Sequence, residues 1–136
     1  MSPLTELITG AKGYGWASQI PGTQVELLVL GGGGAGYYGG GGAGSLLYFN
    51  NQLLTPGTYT VTVGPGAVVD PSGNFTAAGS SQFGSLTAAL GGGSCRAIGT
   101  ASGGSGAGAY DSSGSGQIGG ASTQSNVGVT TVYANA

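Results

Sequence analysis

The chain contains no histidine and only one cysteine, and its 136 residues include two Lys or Arg and four Asp or Glu. Each shortage excludes a class of chemistry. Histidine is the usual proton carrier near neutral pH; without it, the carboxylates Glu6, Glu26, Asp70 and Asp111 are too scattered to suggest an acid–base pair. Asp70 and Asp111 read as solvated turn residues. Cys95 cannot form an intrachain disulfide, and the lack of both His and a second Cys removes the usual zinc sites. Arg96 is its neighbour, but without a His partner Cys95 best suits a small, half-buried packing position. Lys12 and Arg96 are too few to neutralise a phosphate backbone. No apolar run reaches the roughly 18 residues of a membrane span. The start, MSPLTELITGAKGYG, lacks the basic and apolar regions of a signal peptide. The expectation is a non-enzymatic protein without metal, cofactor, nucleic-acid partner or membrane span.

Glycine is abundant instead, 33 residues of 136, where about 7% is usual. Glycine loses more backbone entropy on ordering than any other residue, and much of the 39% hydrophobic fraction is alanine, which buries little area. Leu, Val, Ile and the aromatics must carry the hydrophobic term, and they cluster between Val25 and Leu90. A core this lean predicts a homo-oligomer, or docking into a larger assembly.

Two regions are expected. Residues 1–23 hold the single Trp and few glycines, and read as a short irregular or helical anchor. Ser2 and Pro3 suit a helix start, and Leu4, Leu7 and Ile8 would share a helical face. Tyr14 and Trp16, among flexible residues, suit contact with a partner subunit; a mobile terminus is the plainer reading. Residues 24–136 read as a mainly β domain, a small antiparallel sandwich or sheet with glycine-rich loops. QVELLVL is apolar on both faces beyond Glu26 and predicts a central strand. SLLYF (45–49) and TYTVTV (58–63) are further strands. Between them, Pro56 and Gly57 predict a type II turn that pairs Leu53 and Leu54 with TYTVTV as a hairpin. GPGAVVDPSGN reads as a loop, NFTA and SSQFGSLTAAL as short strands, and NVGVTTVYA as a strand returning the chain to its folded part. The Gly/Ser-rich tract between, from Gly91, has two open readings: disorder, or packed polyglycine II helices, hydrogen-bonded only to neighbouring segments.

VELLVLGGGGAG places a literal G-x-G-x-x-G at Gly31, Gly33 and Gly36 directly after a strand. A dinucleotide site needs a helix to follow, with an acidic residue about 20 positions on. Here YYGGGGAGSLLYF follows, too rich in glycine for a helix, and NNQLLT at 50–55 has no acid. The glycines read as backbone-packing positions.

The order of phrases is more informative than any single one. VELLVLGGGGAG, GGGGAG at Gly39–Gly44, LLTPGTYTVTVGPG, SSQFGSLTAALGGG and a Gly/Ser/Ala tract together resemble the glycine-rich domain of bacteriophage tail-fibre and adhesin-type virion proteins, over about residues 24–120. The phrase from Thr55 to Gly64 is the most specific part, and residues 1–23 have no counterpart in the resemblance. The chain is shorter than the adhesins, breaks its glycine tracts with Ser and Ala, and lacks long variable insertions. The resemblance implies a virion protein made in the host cytoplasm, in some relatives a receptor-binding tip built on polyglycine II. On that reading Tyr37 and Tyr38 are the leading candidates for host or partner contact, Tyr110 and Asp111 a second pair, and Leu4, Leu7, Ile8, Tyr14 and Trp16 the virion anchor. One Tyr of the first pair packing under the glycine loops is the alternative role. An oligomeric tail-fibre or tail-tip module, with a trimer favoured, is the leading expectation, and a capsid decoration, cement or head-fibre protein the other.

Overall fold

The computed structural model describes residues 22–95, 102–109 and 118–134. No helix occurs among them, and five strands form two small antiparallel sheets: β1 (Thr23–Leu30), β2 (Leu46–Leu54) and β5 (Thr131–Tyr133) in the order β1-β2-β5, and β3 (Val61–Thr62) with β4 (Gln82–Phe83). The fold is mainly β, as the sequence predicts.

Side-chain alternation gives the larger sheet one buried face. Leu27 opposes Phe49, Val29 opposes Leu47, and Leu47 opposes Val132. Phe49 and Leu47 are fully buried and form the core with Val29 and Ala89, flanked by Leu27, Leu86, Val129 and Val132. The opposite face pairs Leu28 with Tyr48, and Leu30 with Leu46, which in turn opposes Tyr133. There a hydrogen bond to the Glu26 carboxylate, which favours the protonated Tyr48 hydroxyl, raises the phenol pKa, with desolvation and the carboxylate's charge adding to it.

Three sequence expectations are corrected. Among the described residues β1 is an edge strand, not a central one, because β5 takes the other side of β2. Leu53 and Leu54 do not pair with TYTVTV but with Gln24 and Thr23. Gly57 also lacks the positive φ of a type II turn. Two cross-strand rewards explain the change: β2 gains pairing along nearly all of β1, while Tyr59 stacks on Phe83 at 5.3 Å and 19° and bonds the Thr55 carbonyl at 2.7 Å. Of TYTVTV, only Val61 and Thr62 form a strand, against Phe83 and Gln82.

β2 reaches that length through a bulge. Asn50 and Asn51 stand opposite Glu26 alone, and Asn51 has φ 55. Asparagine tolerates this left-handed conformation, which costs a β-branched residue about 1–2 kcal/mol. Asn51→Val is therefore expected to lose roughly that much stability in urea unfolding, and Asn51→Gly to lose none.

Most of the glycine runs lie outside the sheets and carry a three-residue rhythm. Gly31 and Gly34 donate to Ser45 and Gly42 at 2.9 and 2.8 Å; Gly42 and Ser45 donate to Gly93 and Leu90 at 2.8 and 3.0 Å; Gly92 and Cys95 donate to Gly32 and Ala35 at 2.8 and 2.9 Å. In each pair the donors are three residues apart and address one neighbouring segment. This is the repeat of polyglycine II, which has no internal hydrogen bonds. Intervening donors turn to other neighbours: Gly32 to Gly79 (2.9 Å), Gly93 to Ser105 (2.9 Å), Ser105 to Ala43 (3.1 Å) and Gly120 to Ala107 (2.8 Å). The described parts of the tract beyond Gly91 thus take the packed form. Space makes glycine necessary: a Cβ on Gly31, Gly34, Gly44 or Gly92 would overlap the carbonyl oxygen of Leu90, Gly93, Gly31 or Gly42, respectively.

Candidate functional site

The packed segments share an axis, so their turns collect at one end. Segment 31–36 runs parallel to 90–95, ending at a Gly36–Cys95 bridge, and the Tyr37 amide donates to the Cys95 carbonyl at 3.1 Å. The chain then reverses and 40–45 returns antiparallel to both, as the pairings of Gly34 with Gly42 and of Gly42 with Gly93 require. The reversal is tight. A Cβ on Gly39 would meet the Cys95 sulfur at 2.7 Å and the carbonyls of Gly108 and Ala109 at 3.0 and 3.2 Å.

Tyr37 and Tyr38 sit on this reversal, 47% and 52% exposed, with rings edge to face at 4.5 Å and 90°. A second turn supports them. Gly73 is buried at φ 77, and the Tyr37 ring lies 3.5 Å from the position its Cβ would occupy. That turn is tied internally: the Asp70 carboxylate accepts from the Asn74 amide at 2.8 Å and from Asn74 Nδ2 at 2.9 Å, and the Gly73 amide donates to the Asp70 carbonyl at 2.9 Å. Tyr37 therefore combines packing with exposure, and Tyr38 extends beside it.

Of the other sequence candidates, Tyr110 and Asp111 lie outside the described residues, as do Leu4, Leu7, Ile8, Tyr14 and Trp16. Ala109, the residue before Tyr110, sits against Gly39 at the same end of the bundle as Tyr37 and Tyr38. Cys95 is fully buried, deeper than the half-buried position expected for it, with its backbone held by Ala35 and Tyr37. Sequence reasoning missed the Asp70–Asn74 turn as the platform for Tyr37. DPSGN signals a turn, but nothing in that string indicates which other turn it will meet.

The glycine fingerprint after β1 has no phosphate-cradle geometry. The strand leads into an extended segment, and the amides of Gly31, Gly32 and Gly34 already donate to carbonyls of neighbouring segments. A profile of the glycine-rich domain matches residues 9–135. The chain belongs to the glycine-rich domain family. The match extends beyond the glycine runs in both directions, so the matched residues include the strands of the sheet as well as the polyglycine bundle. No curated protein and no solved structure gives a significant match to this glycine-rich domain.

Proposed function

We propose that this glycine-rich domain is a non-enzymatic structural protein of a phage particle, an oligomeric tail-fibre or tail-tip module whose loop end contacts the host surface. The convergence of tight turns at one end of a backbone-bonded bundle, presenting Tyr37 and Tyr38 together, carries the reading. The sequence resemblance to virion proteins supplies the context. A half-exposed aromatic pair offers large contact area with few rotatable bonds, a surface that suits a sugar or a protein. The bundle holds it without a large core, since its stiffness comes from lateral hydrogen bonds. Attachment to other virion proteins is assigned to the N-terminal region, and the assembly to a homo-oligomer, with a trimer favoured.

Purified protein is expected to adsorb to susceptible cells and compete with the phage. Tyr37→Ala with Tyr38→Ala should weaken adsorption at least about tenfold, the equivalent of roughly 1.4 kcal/mol. The melting temperature should fall by only a few degrees, through loss of the Tyr37 contact with Gly73. Unchanged adsorption by correctly assembled double mutant would remove the host-contact role. Reconstruction of the intact particle tests the placement: density arrayed over the head lattice would replace the fibre reading with a capsid-decoration one, which the small size and distinct N-terminal sequence also fit.

A further inference from the structure

Segment 90–95 spends two of its three rows of amides on described neighbours. Gly92 and Cys95 donate to Gly32 and Ala35 at 2.8 and 2.9 Å, while Gly93 donates to Ser105 at 2.9 Å and Leu90, in the same row, to the Gln124 side chain at 2.8 Å. The third row is Gly91 and Ser94. Among the described residues neither of these amides has an acceptor, and the three-residue screw turns both away from segments 31–36 and 102–108. A groove of about 420 Å³ lies between residues 91–94 and residues 75–78, with Ser102 also lining it. The facing wall has the same rhythm: Thr76 and Gly79, three residues apart, donate to Val68 and Pro65 at 2.9 and 2.8 Å, and the amides of Ala77 and Ala78 have no acceptor among the described residues. The walls touch where a Cβ on Gly91 would overlap the Ala78 carbonyl oxygen, and the groove opens beyond that contact. An amide row on an open surface bonds to water; this one is half-buried and has a second wall opposite.

We propose that this groove is an open lateral position of the polyglycine bundle, and that it binds an uncharged, glycine- and alanine-rich segment of another polypeptide in the polyglycine II conformation. Three features select this occupant. The first is spacing. Gly91 and Ser94 stand one turn apart, about 9.3 Å, so a chain with the same three-residue turn offers them successive carbonyls, whereas a β-strand presents carbonyls to one side roughly every 6.7 Å. The second is material. The segments already seated in the bundle, such as GGGGAG (31–36) and SGGSGAG (102–108), carry nothing larger than Ser or Ala, and no residue lining the groove is charged. The third is shape: a groove walled on two sides admits a single chain, while the glycine segments of a second folded copy lie side by side in a bundle too broad to enter. Main-chain hydrogen bonds then supply affinity, and the exclusion of bulky side chains supplies selectivity. The assignment goes beyond the proposed function, since it concerns a polypeptide partner and uses neither Tyr37 nor Tyr38.

The test titrates the full-length protein with a capped peptide of three Gly-Gly-Ala units, followed by NMR. The Gly91 and Ser94 amide resonances are expected to shift saturably, and their hydrogen exchange to slow at least about tenfold at saturation. A capped peptide of four Thr-Val units, which favours β-structure, should do neither. Ala77→Leu, at an exposed position on the groove wall, should abolish the shifts while leaving the thermal transition in place, and Ser102→Leu gives an independent obstruction at another exposed position. No saturable shift at Gly91 and Ser94, equal binding of the Thr-Val peptide, or undiminished binding by both folded variants overturns the proposal. Slow exchange of both amides in the protein alone also overturns it, because the groove would then already be filled: by this chain if the protection is independent of concentration, by a second copy if it fades on dilution. None of these results bears on adsorption through Tyr37 and Tyr38, so the two readings fail separately.

Discussion

Gly34→Ala is expected to destabilise the domain by at least about 3 kcal/mol, while Gly33→Ala, one residue earlier, should leave it unchanged or slightly more stable. A Cβ on Gly34 would fall within contact of the Gly93 carbonyl and 2.9 Å from the Gly92 oxygen, whereas one on Gly33 would meet nothing within 4 Å. The obstruction is backbone on a neighbouring segment, so no side-chain rotation relieves it. Separating the segments would also break the chain of bonds in which Gly34 donates to Gly42 and Gly42 to Gly93, both at 2.8 Å. Alanine's advantage in the unfolded state, about 0.4–1 kcal/mol, is too small to compensate at residue 34 but acts alone at residue 33. In a thermal melt the first variant should lose roughly 10 °C or more. Equal melting temperatures for the two variants would remove close backbone packing as the reason for the glycines.

The second large effect is expected at Gln124, which fastens the C-terminal part of the chain to the bundle. Its Oε1 accepts from the Leu90 amide at 2.8 Å and from the Ser45 hydroxyl, while Nε2 donates to the carbonyls of Ala88 at 3.1 Å and Ser125 at 2.8 Å. Leucine at this position would keep the bulk and strand the Leu90 amide and the Ala88 carbonyl, while the Ser45 hydroxyl keeps the Leu90 carbonyl, 3.3 Å away, as its acceptor. Each stranded group costs about 1–3 kcal/mol when it stays dry, so Gln124→Leu should lose about 3 kcal/mol in urea unfolding. Gln124→Glu tests the donor half. At pH 7 its carboxylate would face the Ala88 carbonyl without a hydrogen to offer. That repulsion raises its folded pKa above the unfolded value of about 4.3. A raised pKa means stability is recovered as the group protonates, so the Gln124→Glu deficit should shrink as pH falls toward 4 and widen again as it rises. A pH-independent deficit would show that shape alone matters at this position.

The legibility of this chain differs by element. TYTVTV carries the cleanest two-residue alternation, yet only two of its residues pair in a sheet, because alternation reports that a segment can be extended and is silent on its partner. Of NNQLL only Leu53 and Leu54 read as extended, in a hairpin with TYTVTV, yet the whole stretch completes β2 against β1 by hosting a bulge that asparagine can adopt. Cys95 reads as a small packing residue, and becomes fully buried once Gly39 and the carbonyls beside it close around it. The contact candidates were legible through Tyr37 and Tyr38, two aromatics between glycine runs. Their platform at Gly73 was not, since it lies more than thirty residues away in the sequence.

By itself the sequence determined the mainly β class of the molecule and its building material: few ionisable side chains, too little bulky apolar area for a deep core, and glycine where another residue would carry a Cβ. Those properties are local, being set by what each residue is. Only the tertiary structure decided that glycine segments as distant as 31–36 and 102–108 belong to one lateral network, that among the described residues β1 is paired on one side only, and that the turns at Tyr37 and Gly73 meet. The physical reason is that polyglycine II spends every hydrogen bond between segments. Its glycine-rich strings are nearly interchangeable when read along the chain, and they acquire distinct roles only through the neighbours they are packed against.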